Sequence, residues 1–160
     1  MSNPCRRRLV IWLLLSSVTH LGCGGGVDLP ELGIVTGKVS LSGQPVVKAT
    51  VQFIPANGRP SVAITDASGN YELSYVGNTK GAVLGQHNVR ISTFQKADAD
   101  SETVAVPETI PTKYNLMSTL THEVKAGKNE INFDLDGKAE ILQPDKIKVK
   151  AVRSEDDPSR

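Results

Sequence analysis

The chain has 160 residues, enough for one domain with short extensions. Hydrophobic residues make up 39% and aromatic residues 4%, so a core can form but is poor in rings. Fourteen glycines and nine prolines demand many turns and favour an all-β build. A formal net charge of +1 provides no basic face, so nucleic acid is not an expected partner.

The first 22 residues read as an address. Arg6, Arg7 and Arg8 precede the apolar run from Leu9 to Val18, LVIWLLLSSV. A spanning helix needs about 20 apolar residues, and this run has roughly half that. A short apolar core behind arginines is the pattern of a secretory signal. It ends in Thr19-His20-Leu21-Gly22-Cys23, followed by three glycines. That ending resembles the lipobox of bacterial lipoproteins, in which a small residue precedes a cysteine that receives a diacylglycerol thioether. Gly22 and Cys23 fit the pattern. Leu21 is larger than usual, and His20 stands where an aliphatic residue is usual. The competing reading is ordinary cleavage nearby, which releases a soluble secreted protein. Cys5 would leave with the signal, so the mature chain keeps Cys23 alone and can form no intrachain disulfide. An odd cysteine in an exported protein calls for an explanation, and acylation supplies one. Each buried methylene contributes roughly 0.8 kcal/mol, so two or three acyl chains anchor stably. The expected location is therefore the bacterial cell envelope, with the membrane as partner through the lipid and residues 23–32 as a flexible tether. Loss of three arginines leaves 15 of the 18 basic side chains against 17 acidic ones, a formal charge of −2. Such a body has no electrostatic attraction to anionic lipid.

The body reads as strands and turns. Val35, Gly37, Val39 and Leu41 share one face of a half-buried strand, opposite Thr36, Lys38 and Ser40. Ser42-Gly43-Gln44-Pro45 is a turn. The alternation resumes through Ala49, Val51 and Phe53 and stops at Pro55 and Asn57-Gly58. Residues 61–65 form a third strand, 66–70 a tight turn, and Tyr71, Leu73 and Tyr75 one face of a fourth. A loop over 77–85 leads to a fifth strand over 86–94, with Val89 and Ile91 inward. Residues 96–103 are polar and acidic, and 107–114 hold two prolines without a clean period. Residues 119–124 alternate again. Ala126-Gly127-Lys128-Asn129 reads as a hairpin turn into a last strand over 130–135. Seven short strands at this spacing predict an all-β sandwich over 33–137. The charged tail, 138–160, contains Ile147, Val149 and Ala151 alternating with lysines and is balanced between an extra edge strand and disorder.

A family resemblance rests on Gly37-Lys38-Val39, Ser42-Gly43-Gln44-Pro45, Ala49-Thr50-Val51 and Thr65-Asp66-Ala67-Ser68-Gly69-Asn70-Tyr71. In this order they resemble the carboxypeptidase-regulatory-like, or transthyretin-like, domain, with Ser42 in place of the usual acidic turn residue. Gly85-Gln86-His87, Ile110-Pro111-Thr112-Lys113-Tyr114-Asn115 and Ser118-Thr119-Leu120-Thr121 resemble a bacterial lipoprotein branch of that family. The resemblance spans residues 34–135. It implies a seven-stranded Greek-key sandwich, immunoglobulin-like in build, and no established activity. Related domains serve as structural, protein-contact or carbohydrate-binding modules, and the fold does not choose among them.

No chemical signature stands out. His87 and His122 each stand alone in a strand, whereas zinc sites gather about four ligands. Asp66 to Asn70 lacks the carboxylates of a calcium loop. There is no G-x-S-x-G, and the single mature cysteine is the lipid candidate. No catalytic residue, metal or cofactor is expected, and the chain is expected not to be an enzyme. Lys113, Tyr114 and Asn115 combine charge, ring and amide and are the candidate contacts for a ligand. The competing reading has Ile110, Tyr114 and Leu116 plug the end of the sandwich. The expected role is a structural or protein-contact module on an envelope protein, with carbohydrate binding at the cell surface as the alternative.

Overall fold

The computed structural model describes residues 29–98 and 104–146. Cys23 and the alternating stretch 147–151 lie outside the described residues. The described chain is nearly all β. Twelve strands form two sheets, and the helical residues are confined to two short 3-10 turns, Thr112–Tyr114 and Pro144–Lys146.

The first sheet is built around β1 (Leu32–Leu41). Along one edge it takes three short antiparallel partners: β2 (Gln44–Pro45), β5 (Asn70–Glu72) and β8 (Ala82–Val83). Along the other it takes β11 (Gly127–Glu130) and β12 (Phe133–Leu135), both parallel. The second sheet is antiparallel throughout, in the order β10 (Thr121–Val124), β9 (Gly85–Ser92), β3 (Thr50–Pro55), β4 (Ser61–Ile64), β6 (Ser74–Val76) and β7 (Thr79–Lys80). Val35, Val39, Tyr71, Phe133 and Leu135 from the first sheet meet Val51, Phe53, Val89, Ile91 and Val124 from the second in one buried core. Phe53 and Phe133 meet across it edge to face, with ring centroids 6.2 Å apart.

Twelve strands stand where seven are expected, for local reasons. The expected strand over 71–75 divides at Leu73. Tyr71 pairs with Gly37 in the first sheet, and Ser74 pairs with Val62 in the second, so the chain changes sheets at this fully buried leucine. The expected loop over 77–85 contains β7 and β8. The expected hairpin at 126–129 does not form. β10 belongs to the second sheet, while β11 crosses to the first and runs parallel to β1. The Asn129 side chain takes up the hairpin bonds instead: Oδ1 accepts from Lys125 N–H at 3.0 Å, and Nδ2 donates to Lys125 C=O at 2.7 Å. Turn-favouring residues are therefore present, but the amide side chain caps Lys125 and frees the next strand to leave. The folded body also extends past 137. Thr112 N–H donates to Glu140 C=O at 2.8 Å, and the Gln143 amide bonds both main-chain groups of Glu108.

β11 and β12 hold one register against β1, with Thr36 opposite Glu130 and Val39 opposite Phe133. The ladder is interrupted where Gly37 faces Ile131. A regular parallel ladder would send the Lys38 N–H to the Ile131 carbonyl. Here the Tyr71 hydroxyl donates to that carbonyl at 2.7 Å, and the Lys38 N–H donates to Asn132 Oδ1 at 2.8 Å. Gly37 makes room for this exchange. A Cβ there would lie 1.8 Å from the Ile131 oxygen and 3.0 Å from the Tyr71 ring. Backbone, not a flexible side chain, blocks the space. Gly37→Ala is expected to lower the thermal midpoint by well over the few degrees of an ordinary surface change, with overpacking typically costing about 1–3 kcal/mol. Thermal unfolding followed by circular dichroism checks it.

Candidate functional site

The largest concavity is a groove of about 820 Å³ on the outer face of the first sheet. Strand alternation builds it. Thr36, Lys38 and Ser40 face outward from β1, Asn70 and Glu72 from β5, and Glu130 and Asp134 from β11 and β12, with Asn132 between them. Four carboxylates, Asp66, Glu72, Glu130 and Asp134, line it together with a single lysine, Lys38. Many of these groups are held. Ser40 Oγ donates to Asp134 Oδ1 at 2.8 Å, Asn132 Nδ2 to Glu130 Oε1 at 3.3 Å, and Lys80 is bonded to Glu72. Exposed Ile64 supplies an apolar spot at one side. The result is a preorganised, anionic, acceptor-rich face.

The Asp66 turn borders the groove. Asp66 Oδ1 accepts from the N–H groups of Ser68 and Asn70, each at 2.8 Å, and Oδ2 accepts from the Asn70 amide at 3.1 Å. The bond from Asn70 N–H leads the causes that hold the Asp66 carboxyl below its ordinary range. Gly69 follows at φ +81°, and its carbonyl accepts from Val39 N–H at 2.8 Å. Thr65 is buried, and its hydroxyl accepts from Ala49 N–H at 2.8 Å. Thr65, Asp66, Gly69 and Tyr71 thus act together to seat the turn against β1 and β3.

The residues expected to contact a ligand lie elsewhere. Lys113 and Tyr114 belong to a 3-10 turn, with Lys113 Nζ 4.8 Å from the centre of the Tyr114 ring. Tyr114 packs against the core, and its hydroxyl accepts from Asp136 N–H at 3.1 Å. Asn115 is buried and donates to Ile110 C=O at 2.9 Å while accepting from Leu116 N–H. Ile110 and Tyr114 do plug the sandwich end, as the competing reading has it, but Leu116 is exposed. Glu108, which the sequence did not single out, organises this loop. Its buried carboxylate accepts from the N–H groups of Thr93, Thr109 and Ile110 and from the hydroxyls of Ser92 and Thr93. Five donors on one carboxylate compensate its burial. A glutamate between a proline and a threonine carries no periodic signal that could have revealed this.

The two histidines do not stand alone. His87 and His122 are directly opposite each other on β9 and β10. His87 is buried, its Nδ1 lies 3.0 Å from Gly85 C=O, and its Nε2 has no hydrogen-bond partner. The His122 ring meets Phe133 edge on at 5.3 Å. Among the described residues no group of three or more His, Cys, Asp or Glu side chains could hold a metal ion.

No family model matches the chain, and no curated protein matches it. Among solved structures, it is similar to a 9R-lipoxygenase from Cyanothece PCC8801, at 13% identity and a TM-score of 0.39. The match covers 69% of this chain and 17% of the lipoxygenase chain. That neighbour is an enzyme, so the expectation that the present chain is not one is withdrawn. At this TM-score the likeness carries no argument about a reaction, a substrate or the fold.

Burial leads the causes that hold the His87 imidazole below its ordinary pKa, against the raising effect of the Gly85 carbonyl. The folded state then favours neutral His87, whereas the unfolded chain takes up a proton near pH 6.5. Stability from this group is full above about pH 6.5 and declines as pH falls toward the lower folded value. The thermal midpoint is expected to fall between pH 7 and pH 5 in the native sequence. That part of the slope is expected to disappear in His87→Gln.

Proposed function

We propose that this is an envelope lipoprotein, acylated on Cys23 after removal of residues 1–22, whose β domain serves as a structural or protein-contact module. In this reading the two sheets are a seven-stranded Greek-key sandwich of the transthyretin-like kind, with the shortest strands as local extensions. The motif residues Gly37, Thr65, Asp66, Gly69 and Tyr71 support it, because each has a distinct task in seating the turn against β1.

The observation that carries protein contact is the anionic groove across the first sheet. Its carboxylates and amides are held by neighbours and would meet a partner without first being ordered, which lowers the cost of association. The excess of carboxylates suits a partner segment that carries lysine or arginine, since opposed charge steers encounter and suppresses wrong partners. Carbohydrate binding loses its proposed contacts, because Asn115 is engaged internally and the Tyr114 hydroxyl is bonded to the backbone of Asp136.

Two measurements in cells test this. A photo-crosslinking amino acid at Thr36, in the groove, is expected to give a discrete envelope-protein adduct. The same group at Arg90, on the outer face of the other sheet, is expected to give none. Equal labelling at both positions, or none at Thr36, would contradict the groove as the contact. Cys23→Ser is expected to abolish incorporation of labelled palmitate and release the protein from the membrane fraction; retained label would contradict the anchor.

A further inference from the structure

His87 and His122 are 35 positions apart in sequence, and the β9–β10 register sets them face to face. Directly opposed residues of an antiparallel pair point to the same side, with Cβ atoms about 4.5–5.5 Å apart. Both side chains enter the space between the sheets, where His87 meets Phe53 and His122 meets Phe133. The hydrogen bond between His87 Nδ1 and the Gly85 carbonyl puts the proton on Nδ1. The Nε2 lone pair is then left free, and it is buried without a partner. A backbone carbonyl that holds the distal N–H of an imidazole is the usual support of a metal-ligating histidine. A buried, unpartnered acceptor has no such explanation within the core.

We infer that His87 and His122 form a two-imidazole site for a borderline divalent transition ion, with water completing the coordination. Side-by-side imidazoles occupy adjacent coordination positions, and imidazole favours ions of the copper, nickel and zinc kind over magnesium or calcium. His122 is only partly buried and lies on β10, an edge strand of the second sheet, so ion and water have an approach from that side. Two protein ligands make this a site of modest affinity, distinct from a closed four-ligand structural centre. Loading requires both imidazoles to be neutral, and burial already favours that form of His87.

The test uses the full exported chain, purified in detergent without a histidine tag. Cu²⁺, Ni²⁺, Zn²⁺ and Mg²⁺ are titrated separately while thermal unfolding is followed. An ion that binds only the folded state raises the midpoint. The midpoint is expected to rise with Cu²⁺ most, then with Ni²⁺ and Zn²⁺, and not with Mg²⁺. Bound Cu²⁺ is expected to show nitrogen hyperfine coupling from two imidazoles in its electron paramagnetic resonance spectrum. His122→Ala, at a partly exposed position, is expected to fold and to lose both the shift and the second nitrogen. No shift with any of the three transition ions would overturn the site. A shift that survives in His122→Ala would overturn it as well, by locating binding elsewhere.

Discussion

The Tyr71 hydroxyl bonded to the Ile131 carbonyl, across the bare backbone of Gly37, is the contact on which the first sheet depends. β1 has partners on both edges, and each edge carries strands of two to four residues. Short strands offer few ladder bonds, so some other interaction must fix them. Tyr71 does this by reaching from β5, on one edge of β1, to the chain between β11 and β12 on the other. Its phenol is buried, and burial pushes its pKa well above the ordinary value, so the hydroxyl remains a donor throughout the physiological range. The ring stacks near Phe133, which meets Phe53 of the opposite sheet. One side chain therefore ties both edges of the first sheet to the core.

That tie also positions the outer face. With β5, β1 and β11–β12 held at fixed registers, Asn70 and Glu72, Thr36, Lys38 and Ser40, and Glu130 and Asp134 fall into three adjacent columns. The groove is the outward consequence of the inward packing. Asn132 serves both sides: its Oδ1 replaces the carbonyl that Tyr71 has taken from Lys38, and its Nδ2 holds Glu130. The Asp66 turn adds a rim, seated on β1 through Gly69 and on β3 through Thr65.

Alternation along the chain identified the inward residues well, because sheet faces have a strict period of two. Val35, Val39, Val51, Phe53, Val89, Ile91 and Phe133 are buried as that period requires. It could not say which strand pairs with which. Ala126-Gly127-Lys128-Asn129 carries hairpin residues, yet Asn129 bonds back to Lys125 and β11 leaves for the other sheet. The groove depends on that parallel pairing, so it was illegible even though each of its residues was correctly read as outward. His87 and His122 show the same limit, being isolated in sequence and opposed in space. Glu108 was hidden for a different reason: its partners are backbone N–H groups, which leave no mark on the sequence. Lys113, Tyr114 and Asn115 looked like ligand contacts because composition does not distinguish a polar side chain that faces solvent from one that closes a loop.

Native-state amide hydrogen exchange, comparing the native sequence with Tyr71→Phe, tests the central role of Tyr71 most directly. Loss of the hydroxyl leaves a buried carbonyl unsatisfied, at a cost of about 1–3 kcal/mol. If Tyr71 ties the first sheet together, the amides of Val39, Leu73 and Ile131 lose protection in concert, because each bonds across that sheet. The β3–β9 ladder of the second sheet keeps its protection. Unchanged protection at Ile131, or an equal loss across both sheets, would contradict the account.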